Sequence, residues 1–381
     1  MNDNNTLLQE RTELFDNALN FRPNKRIPTM SNIFTWKFLD AGFKLSEVLY
    51  DYDKIDKVMD DFIETYQYDG YLDLGTRNPL RIFRAVGGGF HKIGKTDDFI
   101  EVQDHVLMER NEYKELTRNP IAFYWSKVFP RILNKPEATM GDIENIAKEI
   151  GDLFQYTINS RNKLLNTHQA FATSNGNAML PFETIFNFLR GIKESSLDVR
   201  KCKSEMKEAM DVMFETEIGE TLDATFEADA TGCVAPVMVA LLGHSVLSVQ
   251  QFEELEWPYL KKVLDTAVKH KKPVYIFCES TMLRFAEFFQ DYPKGTMVIH
   301  LEQDDILEIR KKLPNVALCG GMPADLLGHG TPEQCVDHAR KIADSLGEGF
   351  ILSQQKMISF RNDAKRENLI AVNEFAKNYS C

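Results

Sequence analysis

The chain has 381 residues, 43% hydrophobic and 27% charged, ordinary globular proportions that exclude disordered, collagen-like and coiled-coil readings. With 45 Lys and Arg against 57 Asp and Glu, the net charge of −12 argues against nucleic acid or an anionic membrane as partner, since either needs a basic face. The longest clean apolar run, Val237–Leu242, is far short of the roughly 20 residues that span a bilayer.

In chain order, the opening Met1-Asn-Asp-Asn-Asn-Thr lacks the basic and apolar regions of a signal peptide. The first half then reads as mostly helical. Ile55, Val58, Met59, Phe62 and Tyr66 recur at three- or four-residue steps, the apolar stripe of a long helix capped near Ser46. The acidic run Asp51–Asp61 is its solvated face. A strand is expected near Tyr71–Leu74. Gly87-Gly88-Gly89 is not followed by Lys-Ser/Thr, so it reads as a turn rather than a phosphate loop. Helices are expected over Val102–Leu116, Ile121–Phe129 and Ile143–Leu164, and a strand over Val234–Leu242.

The C-terminal third is the most legible. Val274–Cys278 is a strand followed by a helix over Met282–Gln290. Met297–His300 is a second strand, and Asp304 or Asp305 caps a helix running to Leu313. Val316–Cys319 is a third strand, closed by Gly320-Gly321. Thr331-Pro332-Glu333-Gln334 combines an N-cap, a first-turn proline and a capping-box Gln. The helix it opens buries Cys335, Ala339, Ile342 and Leu346 and stops at Gly347, leaving His338 as a surface residue. Phe350–Leu352 is a fourth strand, and a terminal helix starts about Asp363. Strand–helix units in this succession demand a parallel sheet with helices outside it. No linker or low-complexity tract divides residues 1–381, so one α/β domain is expected, a (β/α)8 barrel with N-terminal helical additions. The six cysteines (Cys202, Cys233, Cys278, Cys319, Cys335, Cys381) include no CxxC pair and make no disulfide scaffold, which suits a soluble cytoplasmic protein.

Several segments, in order, carry a family resemblance. They are Pro181-Phe182-Glu183 through Phe188-Leu189-Arg190-Gly191, and Leu247-Ser248-Val249-Gln250-Gln251-Phe252 through Trp257-Pro258-Tyr259-Leu260-Lys261. Lys272-Pro273-Val274-Tyr275-Ile276-Phe277-Cys278-Glu279 follows. The last are Gly320-Gly321-Met322-Pro323, Gly330-Thr331-Pro332-Glu333 and Gly349-Phe350-Ile351-Leu352-Ser353. From about residue 180 onward the chain resembles the uroporphyrinogen decarboxylase superfamily, which includes zinc-dependent methyltransferases working with corrinoid proteins. The resemblance implies the (β/α)8 fold. The decarboxylase's arginine-rich N-terminal motif is not matched by Lys25-Arg26-Ile27-Pro28-Thr29-Met30. The zinc ligands of the thiol methyltransferases fall on Phe277, Glu279 and a position near Lys356, so none is retained.

Glu279, His300 and Cys319 stand instead at the ends of three successive expected strands, where a barrel of this kind builds its active site. Carboxylate, imidazole and thiolate are all zinc ligands, and three protein ligands leave one position open. The Glu279-x20-His300 spacing also resembles a zinc motif of anaerobic aryl-ether demethylases in this superfamily, although Leu264 occupies the place of that motif's first acidic ligand. Cys278, Glu302 and His244 are the reserve ligands. Against this stands the plainer use of each residue type, a strand-end cysteine as core and a lone histidine as a hydrogen-bonded group. The abundant phenylalanines mostly build core, while Phe34 and Trp36 are candidates to line an aromatic pocket.

A Glu/His/Cys zinc is harder than a sulfur-rich one and suits a leaving oxygen better than a thiolate. The expected enzyme is therefore a methyltransferase that moves a methyl group from a small methoxylated aromatic to the cobalt(I) of a separate corrinoid (cobalamin) protein. Glu279 and His300 are its catalytic candidates, and Glu279, His300 and Cys319 its zinc ligands. The alternatives are a methylcobalamin:thiol methyltransferase, uroporphyrinogen decarboxylase itself, and a non-catalytic barrel that binds a corrinoid protein or a tetrapyrrole.

Overall fold

The computed structural model describes residues 6–380 except 78 and 89, so Gly89, Cys381 and the first five residues lie outside the described residues. Among the described residues ten strands are present: β1 (Thr29–Ser31), β2 (Gly70–Tyr71), β3 (His91–Ile93), β4 (Ile100–Val102), β5 (Phe171–Asn177), β6 (Cys233–Leu241), β7 (Val274–Cys278), β8 (Met297–Leu301), β9 (Ala317–Met322) and β10 (Phe350–Gln354). Eight close a parallel barrel in the order β1-β10-β9-β8-β7-β6-β5-β2, with β2 pairing back to β1. β3 and β4 form a separate antiparallel hairpin between the second and third barrel strands. The expected (β/α)8 barrel is the observed fold.

Both faces of the sheet are buried, so its strands read as near-continuous apolar runs. The two-residue period still decides which side chains enter the barrel. Tyr275, Phe277, Val298, Ala317, Cys319 and Ile351 fill the interior with Met30, Phe171 and Ala235. Val274, Ile276, Cys278, Ile299, Leu301 and Leu318 face the surrounding helices instead. The barrel's lower end is tied by Asp69, fully buried just before β2. It accepts hydrogen bonds from Arg26 at 2.8 and 2.9 Å and from Arg11 at 3.0 Å. Arg26 thus serves the N-terminal end, opposite the rim where chemistry is built.

Several expected elements are displaced, each for a local reason. The amphipathic helix is Tyr52–Tyr66, and its cap is Asp51, whose carboxylate accepts from the Asp53 and Lys54 N–H groups. Ser46 lies in a separate short helix, Leu45–Val48. No helix runs over Val102–Leu116. Val102 ends the hairpin, the Leu107 and Met108 N–H groups donate to Leu189 O, and helix begins only at Arg110, as a 3-10 turn leading into the α-helix Tyr113–Arg118. Tertiary hydrogen bonds there override local propensity. β9 does not stop at Gly320-Gly321 but continues through them to Met322. Gly320 has φ +131°, and a Cβ there would stand 3.1 Å from Leu301 O, so glycine lets the neighbouring strand approach. The long helix Met140–Asn166 and the capped helix Pro332–Leu346 form as expected.

Candidate active site

Three side chains were expected to converge on zinc, and the barrel register separates them. His300 is level with Phe277 on one neighbouring strand and Cys319 on the other. Glu279 lies two residues beyond Phe277 on the same face, so it belongs to the next layer toward the rim, about 6.6 Å higher at ~3.3 Å per residue.

His300 is fully buried, and both ring nitrogens are engaged. Nε2 lies 2.8 Å from Gln354 O and must donate to it, because a carbonyl only accepts. Nδ1 is then the acceptor of the neutral ring and takes the Tyr275 hydroxyl hydrogen at 2.7 Å. Burial supports this neutral form, pushing the imidazole down to about 4. Cys319, also fully buried, has its Sγ 3.5 Å from the Tyr275 oxygen. Burial pushes its thiol up to about 12.

The reserve ligands do not complete a set. Cys278 faces the helix layer, with Sγ 3.4 Å from Nε2 of the buried His244. Glu302 Oε2 accepts from the Ser280 N–H at 2.6 Å. Leu264 is core within the helix Trp257–His270. Lys356 pairs with Asp363 at 3.0 Å. Among the described residues, no three His, Cys, Asp or Glu side chains gather to hold a metal ion. In this structure His300 and Cys319 belong to a hydrogen-bonded barrel core one layer below Glu279, so the three expected zinc ligands do not meet at one point.

What remains at the rim is Glu279. Its side chain is 25% exposed, and Arg77 Nη2 donates to its Oε1 at 3.5 Å. Burial raises its carboxyl to about 7, with Arg77 pulling it down and Glu302 pushing it up. Glu183 is fully buried, accepting from the Leu242 N–H at 2.9 Å and the Gly243 N–H at 3.0 Å, which fixes the loop after β6. Arg77 comes from the loop after β2, where Asp73 Oδ1 accepts from the Thr76 and Arg77 N–H groups at 3.1 and 3.0 Å. The guanidinium lies between the rings of Phe34 and Phe277, 5.0 and 5.3 Å from their centroids. Phe34 therefore lies beside Arg77 and is buried. Trp36 is also buried, with Nε1 donating to Ala364 O at 3.0 Å. Cys335 and His338 are packing residues, Cys335 buried and His338 held 2.9 Å from Gly321 O.

Residues 121–379, more than half of the chain, match the family model described as Uroporphyrinogen decarboxylase (URO-D). The chain belongs to the uroporphyrinogen decarboxylase family. No curated protein matches it. Among solved structures, a methyltransferase from Methanosarcina mazei superposes with a TM-score of 0.65 at 13% identity, covering 97% of this chain and 98% of that one. At that identity the likeness concerns the fold. Within this family frame the rim offers one partly exposed carboxyl held near neutrality beside one cation, which rests on the buried rings of Phe34 and Phe277. Such a carboxyl can hand a proton to a ligand at the rim. Arg77 was missed from sequence because Gly75-Thr76-Arg77 reads as an ordinary turn; its only signal is a charge directly after a barrel strand.

Proposed function

We propose that the protein is a methyltransferase that takes a methyl group from a small methoxylated aromatic and delivers it to the cobalt of a separate corrinoid protein, with Glu279 as general acid. The observation that carries this reading is Glu279 itself: a rim carboxyl held near neutral pKa, partly open and paired with Arg77. The partner's corrinoid supplies the cobalt(I) nucleophile. As the methyl–oxygen bond breaks, its electron pair stays on the aryl oxygen. The Glu279 proton passes to that oxygen, and the products are a phenol and the Glu279 carboxylate. Proton donation thus does what a Lewis-acidic metal was expected to do, and general acids of matched pKa contribute about 10²- to 10⁴-fold.

A docking partner also needs a surface. Exposed apolar side chains stand in the segments that follow four barrel strands: Met179, Val246 with Val249, Leu283, and Phe360. The methyltransferase role of the Methanosarcina mazei protein agrees with the reading. Decarboxylation is the second reading, favoured by one observation: Arg77 is a cation suited to a carboxylate, and Glu279 could then protonate carbon.

The test is single turnover with reduced corrinoid protein and a panel of methoxyarenes, following the cobalt spectrum and CO2 release together. Methylcobalt formation that needs Glu279 supports the proposal. CO2 release without methylcobalt would transfer support to decarboxylation, and neither product would refute both.

A further inference from the structure

The turn after β6, Gly243–Val246, hangs between one anion and one cation. On its N–H side Glu183 accepts from Leu242 at 2.9 Å and from Gly243 at 3.0 Å, and takes a further bond from Asn187 Nδ2 at 3.2 Å. On its carbonyl side Arg284 Nη2 donates to His244 O and Ser245 O at 3.0 Å and to Leu247 O at 3.2 Å. A second carboxyl stands behind this turn. Glu256 lies at the corner between the helices Val249–Leu255 and Trp257–His270. Phe252, one helical turn earlier, stacks on Phe285 at 4.3 Å, and Phe285 lies 5.8 Å from the His244 ring, which sets the corner against the turn. Glu256 is fully buried, and neither of its carboxyl oxygens has a hydrogen-bond partner. A carboxylate ion stripped of water and of every donor is too costly to keep, so the group takes up a proton instead. Burial raises Glu256 well above the ordinary glutamate value, and the Glu183 charge raises it further.

We infer that Glu183 and Glu256 hold one proton between them above neutral pH, and that this proton latches the segment Gly243–Val249, which loosens as pH rises. While Glu256 is neutral, Glu183 carries the single negative charge that the Leu242 and Gly243 N–H groups require. Removing the proton places two like charges in one dry space, and opening the turn to water relieves them. The other groups around the pair do not supply a counter-charge in contact. Glu279 and the Cys278 thiol face Glu183 from the end of β7, and Tyr259 feels Glu256 from its own helix. His244 is kept uncharged by burial, with Arg284 adding to that effect. Burial raises Glu183 itself to about 7, against the pull of the Gly243 and Leu242 N–H groups, so above neutrality Glu256 is the group that still holds the proton. The sign follows: a proton kept when the turn is closed and released when it opens favours opening as pH rises. Val246 and Val249 are the exposed apolar residues of this segment, so the latch regulates part of the surface read above as partner-facing and in that respect rests on that reading.

Amide hydrogen exchange tests this without catalysis. Protection of residues 243–249 is followed in the full chain above neutral pH, for wild type and Glu256→Gln, each referred to an unstructured peptide at the same pH. Release of one proton on opening should cost wild type about tenfold in protection per pH unit, until Glu256 ionises in the closed turn. Glu256→Gln keeps the side chain's size without a titrating proton, and its protection should not change with pH. Constant protection in wild type, or an equal loss in the variant, would overturn the latch. Infrared spectroscopy of wild type at pH 8 supplies a second measurement should the variant not fold. A protonated carboxyl band is expected there, and its absence would overturn the assignment. Affinity for a corrinoid protein should fall over the same pH range in wild type and stay level in Glu256→Gln. Exchange that behaves as expected in a chain that binds no corrinoid protein would refute the partner reading and leave the latch standing. Binding without the pH-dependent exchange would do the reverse.

Discussion

Replacing Glu279 by Gln keeps the side chain's size and its hydrogen bond to Arg77 but removes the transferable proton. The magnitude follows from its environment. A carboxyl at about 7 is half protonated at neutral pH. A free glutamate at about 4.3 would be protonated in only about one molecule in 500, so burial at the rim enlarges the pool of competent acid about 250-fold. General-acid contributions of about 10²- to 10⁴-fold set the expected loss in Glu279→Gln. The assay is the rate of methylcobalt formation in single turnover, from pH 5.5 to 9. Wild type should be flat on the acid side and fall about tenfold per pH unit above neutrality, because the protonated form is the active one. The Gln variant should be slow and should lose that limb. A Gln variant within threefold of wild type, or a wild-type rate that rises with pH, would show that Glu279 does not donate the proton.

The leaving group should report the same proton. Wild type should depend weakly on the pKa of the departing phenol, whereas Glu279→Gln should depend steeply, each unit costing up to about 1.4 kcal/mol if fully expressed; equal slopes would count against proton donation. Glu302→Gln removes a neighbouring negative charge that raises Glu279, so the alkaline limb should move to lower pH while Gln still accepts from Ser280 N–H; an unmoved limb would mean Glu302 is electrostatically silent. His300→Ala should cost stability, about 1–3 kcal/mol for the buried hydrogen bonds lost, because Gln354 O keeps only the 3.3 Å bond from Asn32 Nδ2 and the Tyr275 hydroxyl only its 3.5 Å contact with Cys319 Sγ, and chelators should leave methyl transfer unchanged. Stoichiometric zinc lost on this substitution would restore the metal-site reading. At the other end of the barrel, Asp69→Ala should destabilise by about 3–5 kcal/mol in denaturant titration, because Arg11 and Arg26 lose their buried counter-charge. Burial pushes the Asp69 carboxyl up, but the arginines outweigh it and hold it below its ordinary value. Its stabilisation is therefore present above the unfolded value of about 3.9 and is lost as acid titrates the folded carboxylate.

The C-terminal third was legible because its strands are short, wholly apolar and punctuated by caps. Thr331, Gln334 and Gly347 bound their helix as their chemistry dictates. The strands of the first half were harder. β1 and β2 have only three and two residues, and β5 carries Thr-Ser-Asn-Gly-Asn, a composition that reads as loop. The upper part of β5 is partly solvated, so no hydrophobic run marks it. The hairpin residues 91–102 pair with each other rather than with the barrel, and nothing in their spacing distinguished that from helix.

At the site, sequence located strand ends but not their heights. Closing a barrel staggers neighbouring strands by its shear, and that stagger decides which inward side chains share a layer. Glu279, His300 and Cys319 occupy corresponding places in three successive strand–helix units, yet the register puts His300 and Cys319 level with Phe277 and leaves Glu279 above them. Tyr275 completes the difference. In Val-Tyr-Ile-Phe-Cys it reads as one more core aromatic, but its hydroxyl meets His300 Nδ1 and stands beside Cys319, satisfying inside the barrel the groups that looked available to a metal. Arg77 is the complementary case, since its partner Glu279 lies about 200 residues away and only the closed barrel brings them together. One layer of inward residues is thus spent on internal hydrogen bonds, and the next faces solvent with a neutral-range acid beside an under-bonded cation.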